Sequence, residues 1–169
     1  MRQESHGLVD DLAICYHNSY KVINNGFSTN ETLKAEKELT SKIKSTTPLN
    51  VFHKHGKVYK EITPTNISTE EALVKDNCME YKRFAVLDNS IPTPTIVDEF
   101  IEFILNKPED LHLHFHCEAG EGRTTTFMAM YQILNCPTLT LEQTFAYQHN
   151  VGGIQLNHNK AKREFFDEF

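Results

Sequence analysis

LHLHFHCEAGEGRTTTFMAMYQIL, Leu111 to Leu134, carries three patterns in succession. Leu111, Leu113 and Phe115 alternate with His112, His114 and His116, the period-two signature of a strand. TTTFMAMYQIL, Thr124 to Leu134, is apolar nearly all round, as a largely buried helix is. Between Cys117 and Arg123 lies a short loop, Glu118, Ala119, Gly120, Glu121 and Gly122. The stretch therefore predicts strand, tight loop, helix.

Such a loop suits an anion. Its consecutive backbone N–H groups can turn inward, and it abuts a helix N-terminus, which favours negative charge. Gly120 and Gly122 let the backbone bend and approach a ligand closely. The same donors should depress the Cys117 thiol, and Arg123 offers a planar fork matched to two phosphate oxygens. A nucleophile and an oxyanion cradle thus share one loop. The competing reading is a structural cysteine beside a tight turn. Cys-x5-Arg alone would not decide between them; the apolar strand before it and the helix after it favour the anion site.

Outward from this loop, strands alternate with helices, which argues for an α/β fold. YKRFAVL, Tyr81 to Leu87, reads as a strand, and LNVFHKHGKVY, Leu49 to Tyr59, as strand-turn-strand. Helices are predicted over Asn30 to Lys44, capped by Asn or Thr with Leu33, Leu39 and Ile43 sharing a broad face, and over 68–76. Further helices are predicted in TIVDEFIEFILN behind Pro94, over Leu141 to His149, and from Asn157 onward.

The 169 residues suit one domain, residues 1–169, able to bury roughly 70% of the unfolded surface. No apolar run reaches the ~18 residues of a membrane helix, and no signal segment opens the chain. This predicts a cytoplasmic protein, or a secreted one if the natural N-terminus is missing. A net charge of −6 argues against nucleic acid as a partner and confines anion binding to a local pocket. Cys15, Cys78, Cys117 and Cys136 include no C-x-x-C pair, so reduced thiols are expected.

HCEAGEGRT, His116 to Thr124, resembles the signature of cysteine-dependent phosphatases, and HCEAG resembles the protein-tyrosine-phosphatase-like inositol phosphatases, the cysteine phytases. RQESHG (Arg2 to Gly7), LDNSIPTP (Leu87 to Pro94) and QHNVGGI (Gln148 to Ile154) are similar to segments of that family in the same order. The resemblance implies the cysteine-phosphatase fold, a central mixed sheet flanked by helices. In the family a hydrophobic strand precedes RQESHG; here only Met1 does, so the N-terminal strand is expected to be missing, leaving an exposed sheet edge.

The resemblance also implies a mechanism without metal or other cofactor. Cys117 attacks phosphorus, the loop N–H groups and Arg123 hold the oxygens, and Asp88 acts as general acid and then base. Thr124 hydrogen-bonds the thiolate, and His116 orients the loop. By itself Asp88 is equally a turn residue before proline. Asn89 stands where several family members carry His. Glu118 matches the family and points outward, with Arg2 a partner for it. Glu121 replaces a small apolar residue, and at ~6 Å and an effective dielectric near 20 it repels each like charge by on the order of 2–3 kcal/mol.

Lys54 and Lys57, within HKHGK, and nearby Lys60 are candidate substrate contacts, although such a run is as readily a solvated turn. The resemblance implies that lysines of the C-terminal region, which here holds Lys160, Lys162 and Arg163, reach substrate. His112, His114 and His116 share a strand face, but at nearly 7 Å spacing they do not suit one metal ion. The function this predicts is a phosphomonoester hydrolase for inositol phosphates. The alternatives are a tyrosine or dual-specificity phosphatase acting on phosphoproteins, and a non-catalytic phosphate-binding module.

Overall fold

The computed structural model describes residues 1–10, 12–16, 24–53 and 56–169. It comprises two compact units, one formed by Gln3–Ala85 and the other by Met1–Arg2 with Val86–Phe169.

In Gln3–Ala85 the elements run β1 (His6–Val9), β2 (Leu12–Cys15), α1 (Thr29–Lys42), β3 (Leu49–Phe52), β4 (Val58–Ile62), β5 (Ile67–Ser68) and α2 (Glu70–Asp76). Strand β1 sits centrally, antiparallel to β2 and to β5; β3 and β4 form a separate antiparallel pair with a bulge at Val51/Phe52. The β1–β2 turn is reached through Asp10 at φ 51°. Its carboxylate accepts the Thr65 N–H and hydroxyl and the Asn66 N–H. Those bonds hold the carboxyl below the usual carboxylate range.

Helix α1 departs from the predicted boundaries. Its cap is Ser28, which closes a capping box with Glu31. Its buried residues are Thr32 and Glu36, with Leu39 and Ile43 half-buried on the same helical face and Leu33 half-buried beside it. That face meets a polar core. Glu36 Oε2 accepts the His6 N–H at 3.0 Å and pairs with Arg83 Nη1 at 3.3 Å. Arg83 also donates to the Glu4 carbonyl at 3.0 Å, and His6 Nε2 lies 3.1 Å from Glu70 Oε2. The Tyr81 hydroxyl donates to Glu70, and burial raises its pKa.

In Val86–Phe169 the elements are α3 (Pro94–Asn106), α4 (Gly122–Asn135), α5 (Leu141–Asn150), a short 3-10 turn (Leu156–His158) and α6 (Lys160–Glu168). Pro94 opens α3, where it gives up no hydrogen bond, and Ile96, Phe100 and Ile104 recur every fourth residue on the buried face. Phe100 meets Phe127 of α4 edge to face at 5.0 Å, and Phe145 of α5 meets Phe166 of α6 at 5.2 Å. Met130 and Leu156 complete the fully buried core of this unit.

Residues 81–87 and 111–117, both predicted as strands, are assigned to neither helix nor strand. Over 111–115 the side chains still alternate between half-buried and exposed. Alternation reports which side chains face inward, whereas a strand also needs a neighbour at ladder distance.

Candidate active site

The loop 117–123 enters α4 as its composition predicts. Gly120 holds φ 74°, a left-handed conformation that glycine adopts at little cost. Glu118, Ala119, Gly120 and Glu121 are exposed, while Cys117, Arg123 and Thr124 are buried and Gly122 half-buried. Both loop carboxylates thus face solvent rather than the thiol.

Burial alone would push the Cys117 thiol up. The Thr124 hydroxyl, the N–H groups of Thr124 and Gly120, and the Arg123 charge outweigh it, so the pKa falls below the ordinary thiol value. The buried Thr124 hydroxyl has no other hydrogen-bond partner among the described residues. His116 Nδ1 lies 3.2 Å from the Cys117 carbonyl, behind the loop, and its ring stacks on that of His114 at 5.7 Å.

Arg123 is 3% exposed. Its Nη1 donates to the Val86 carbonyl at 3.0 Å, and its Nη2 meets Asp88 Oδ1 at 3.1 Å. Asp88 follows directly on Val86 and Leu87 in a turn closed by the Ser90 N–H on the Leu87 carbonyl. Asn89 sits in that turn at φ 59°, and its amide donates to Asp88 Oδ2 at 3.1 Å. Asn tolerates the left-handed region, so the departure from the family's His supplies both the turn and a donor to the carboxylate. Sequence alone marked Asn89 only as a mismatch.

Of the three C-terminal basic candidates, Lys162 faces this site. It is buried on the first turn of α6, and burial, with the Arg123 charge, lowers its pKa against the opposing pull of Asp88. Lys160 is exposed and pairs with Glu164, and Arg163 is tied to Glu142 and Asp167. Arg2 belongs to the same compact unit and is half-buried. Lys57 and Lys60 are exposed at the β3–β4 hairpin of Gln3–Ala85, and Lys54 lies outside the described residues.

A buried, acidified thiol therefore stands at a helix N-terminus within the field of Arg123, whose guanidinium pairs with Asp88 and acts on Lys162. That arrangement can hold a tetrahedral oxyanion and present sulfur to it.

The profile of the PTP-like phytase family, described by inositol hexakisphosphate, matches residues 1–135. The chain belongs to the PTP-like phytase family. Over 92% of its length it superposes on the tandemly repeated protein tyrosine phosphatase-like phytase from Mitsuokella multacida, with a TM-score of 0.82 and 31% identity. It is similar over 89% of its length to a PTP-like phytase from Bdellovibrio bacteriovorus, with a TM-score of 0.77 and 30% identity. Effector protein hopD2 of Pseudomonas syringae pv. tomato is 28% identical over 144 residues, 79% of this chain. The chain spans 30% of that effector, 27% of the Mitsuokella chain and 54% of the Bdellovibrio chain. The α/β fold expected from the signature is the fold these proteins share. No helix among the described residues is long and apolar enough to cross a membrane.

Proposed function

We propose that this chain hydrolyses phosphate monoesters of inositol through a cysteinyl-phosphate intermediate. The observation that carries the proposal is the Cys117 thiol, acidified by Thr124, Gly120 and Arg123 at the start of α4. Cys117 as thiolate attacks phosphorus, and the P–O bond to the leaving alcohol breaks as the S–P bond forms. Arg123, Lys162 and the loop N–H groups balance charge on the phosphoryl oxygens. Asp88 in its carboxylic acid form is the general acid and gives its proton to the departing alkoxide. As carboxylate it then takes a proton from the water that cleaves the S–P bond, releasing phosphate and free thiolate. The similar Mitsuokella enzyme in complex with myo-inositol-(1,3,4,5)-tetrakisphosphate supports the substrate class.

Glu121 is exposed in the loop and favours esters with fewer phosphates than the hexakisphosphate, since it adds repulsion to a polyanion. The same carboxylate is the observation that favours a phosphoprotein as the alternative substrate. The deciding experiment measures phosphate release from inositol hexakisphosphate, inositol tetrakisphosphate and a phosphotyrosine peptide, with Cys117→Ser as control. Faster turnover of the tetrakisphosphate than of the peptide is expected. Preference for the peptide would transfer the assignment to protein phosphatases. Equal inactivity of wild type and Cys117→Ser, with phosphate still bound, would leave only a phosphate-binding module.

A further inference from the structure

Thr125 is 1% exposed on the first turn of α4 and belongs to none of the groups assigned a chemical role above. Its hydroxyl donates to the Glu121 carbonyl at 2.8 Å, and its oxygen accepts the Ile154 N–H at 3.1 Å. Helical threonines often return a hydroxyl to the carbonyl four residues back, and Thr126 does so toward Gly122. The second bond sets Thr125 apart, because Ile154 is 29 residues away along the chain.

The Glu121 carbonyl also accepts the Thr125 N–H at 2.8 Å, so two bonds from the same residue fix its direction. The peptide joining Glu121 to Gly122 is planar and trans, so the Gly122 N–H points opposite to that carbonyl. With the carbonyl drawn along the helix, the N–H leaves the N-terminal end of α4, on the side where Gly120 and Thr124 donate to the thiol. The segment after α5 closes against Thr125 at a distance only glycine permits. A Cβ on Gly153 would lie 2.8 Å from Thr125 Cγ2, 3.0 Å from Thr125 Oγ1 and 2.7 Å from the Gln148 carbonyl. That close approach brings the Ile154 N–H within reach of the hydroxyl.

We propose that Thr125 is a positioning residue: clasped between the Glu121 carbonyl and the Ile154 N–H, it keeps the Gly122 N–H aimed at the bound phosphoryl group. Gly153 is the residue that lets the clasp close. The inference rests on the phosphatase assignment above and adds a part to its oxyanion cradle.

The test compares Thr125→Val, which keeps shape and loses the hydroxyl, with Thr125→Ser, which restores it, and with Gly153→Ala. Each is measured for thermal unfolding, for kcat and KM on an aryl phosphate, and for the pH profile of Cys117 alkylation by iodoacetamide. Thr125→Val is expected to lose about tenfold in kcat, with KM changed less than about threefold and the alkylation midpoint moved upward. Thr125→Ser should stay within about twofold of wild type, and Gly153→Ala should follow Thr125→Val. A folded Thr125→Val with wild-type kcat and alkylation profile overturns the clasp. If Thr125→Val loses its cooperative transition, Thr125→Ala carries the same comparison, and unfolding of both overturns positioning in favour of a purely structural role. An ordinary alkylation midpoint in the wild type would instead sink the phosphatase assignment, so the two failures are distinguishable.

Discussion

Arg123 and Asp88 are ion-paired, Nη2 to Oδ1 at 3.1 Å, while the other terminal nitrogen of Arg123 is held by the Val86 carbonyl at 3.0 Å. A carboxylate therefore lies on the fork that the proposed mechanism assigns to the phosphoryl group, and phosphate binding there requires Asp88 to give up this contact.

Removing the competing charge has two opposite effects. Asp88→Asn should bind inorganic phosphate about three- to tenfold more tightly, since one negative neighbour of Arg123 is gone. The same variant should lose about 10²- to 10³-fold in turnover of an alkyl phosphate, whose leaving group needs a proton. An activated aryl ester should suffer far less. Equal alkyl-phosphate rates in variant and wild type would remove Asp88 from the chemistry.

The acidified thiol predicts a pH signature of its own. Because the folded pKa lies below that of a free thiol, the folded state loses the Cys117 proton at lower pH than the unfolded chain. The resulting stability is fully present above the unfolded value and is lost as pH falls through the folded one. Urea unfolding across pH should show this slope in wild type and not in Cys117→Ser. Thr124→Val should raise the alkylation midpoint, because the hydroxyl leads the lowering influences.

Lys162 is held where it costs stability. Its pKa is lowered by burial and by Arg123, so the folded state disfavours its charged form. Lys162→Met should stabilise the fold by about 1 kcal/mol at neutral pH, with the gain shrinking as pH rises through the folded and toward the unfolded lysine pKa. Phosphate binding should weaken several-fold in the same protein. Calorimetry and phosphate titration of one preparation check both.

Glu36 anchors the other unit through a different logic. It is 1% exposed and bonded to the His6 N–H and to Arg83. Glu36→Ala removes the nearest carboxylate from the buried Arg83 guanidinium and should cost about 3–5 kcal/mol, whereas truncation of exposed Lys75, paired across the helix surface with Glu71, should cost under about 0.5 kcal/mol. Denaturant midpoints of the two variants give the comparison.

Asn89 tests the turn beneath the carboxylate. Asn89→Ala keeps no amide for Asp88 Oδ2 and puts a Cβ residue less suited to φ 59° in the turn. A stability loss of about 1 kcal/mol is expected, together with a severalfold drop in kcat on alkyl phosphates. Thermal unfolding and steady-state kinetics measure the two effects separately.

How far the chain was legible depends on whether the signal was local. Pro94 at the head of α3, the apolar run of α4 and the glycines of the loop each act within a few residues, and each lands where its pattern predicts. Cys117, Arg123 and Thr124 come together for the same reason: they share the loop 117–123 and the first turn of α4. Helical spacing groups Leu39 and Ile43 on one face of α1 without naming what lies opposite, so the pairing of Glu36 on that face with Arg83 was not legible. The three-stranded sheet of β1, β2 and β5 escaped notice because two of its strands have four residues and the third has two, too short for a clear alternation.

Sequence by itself determined the Cys117–Arg123 loop and the helix that follows it, because backbone geometry and charge at a helix terminus are decided by neighbours in the chain. Only tertiary structure brought Asp88 and Lys162 into the field of Arg123 and set Thr125 against Ile154. Long-range electrostatics and close packing depend on distances that no local pattern encodes.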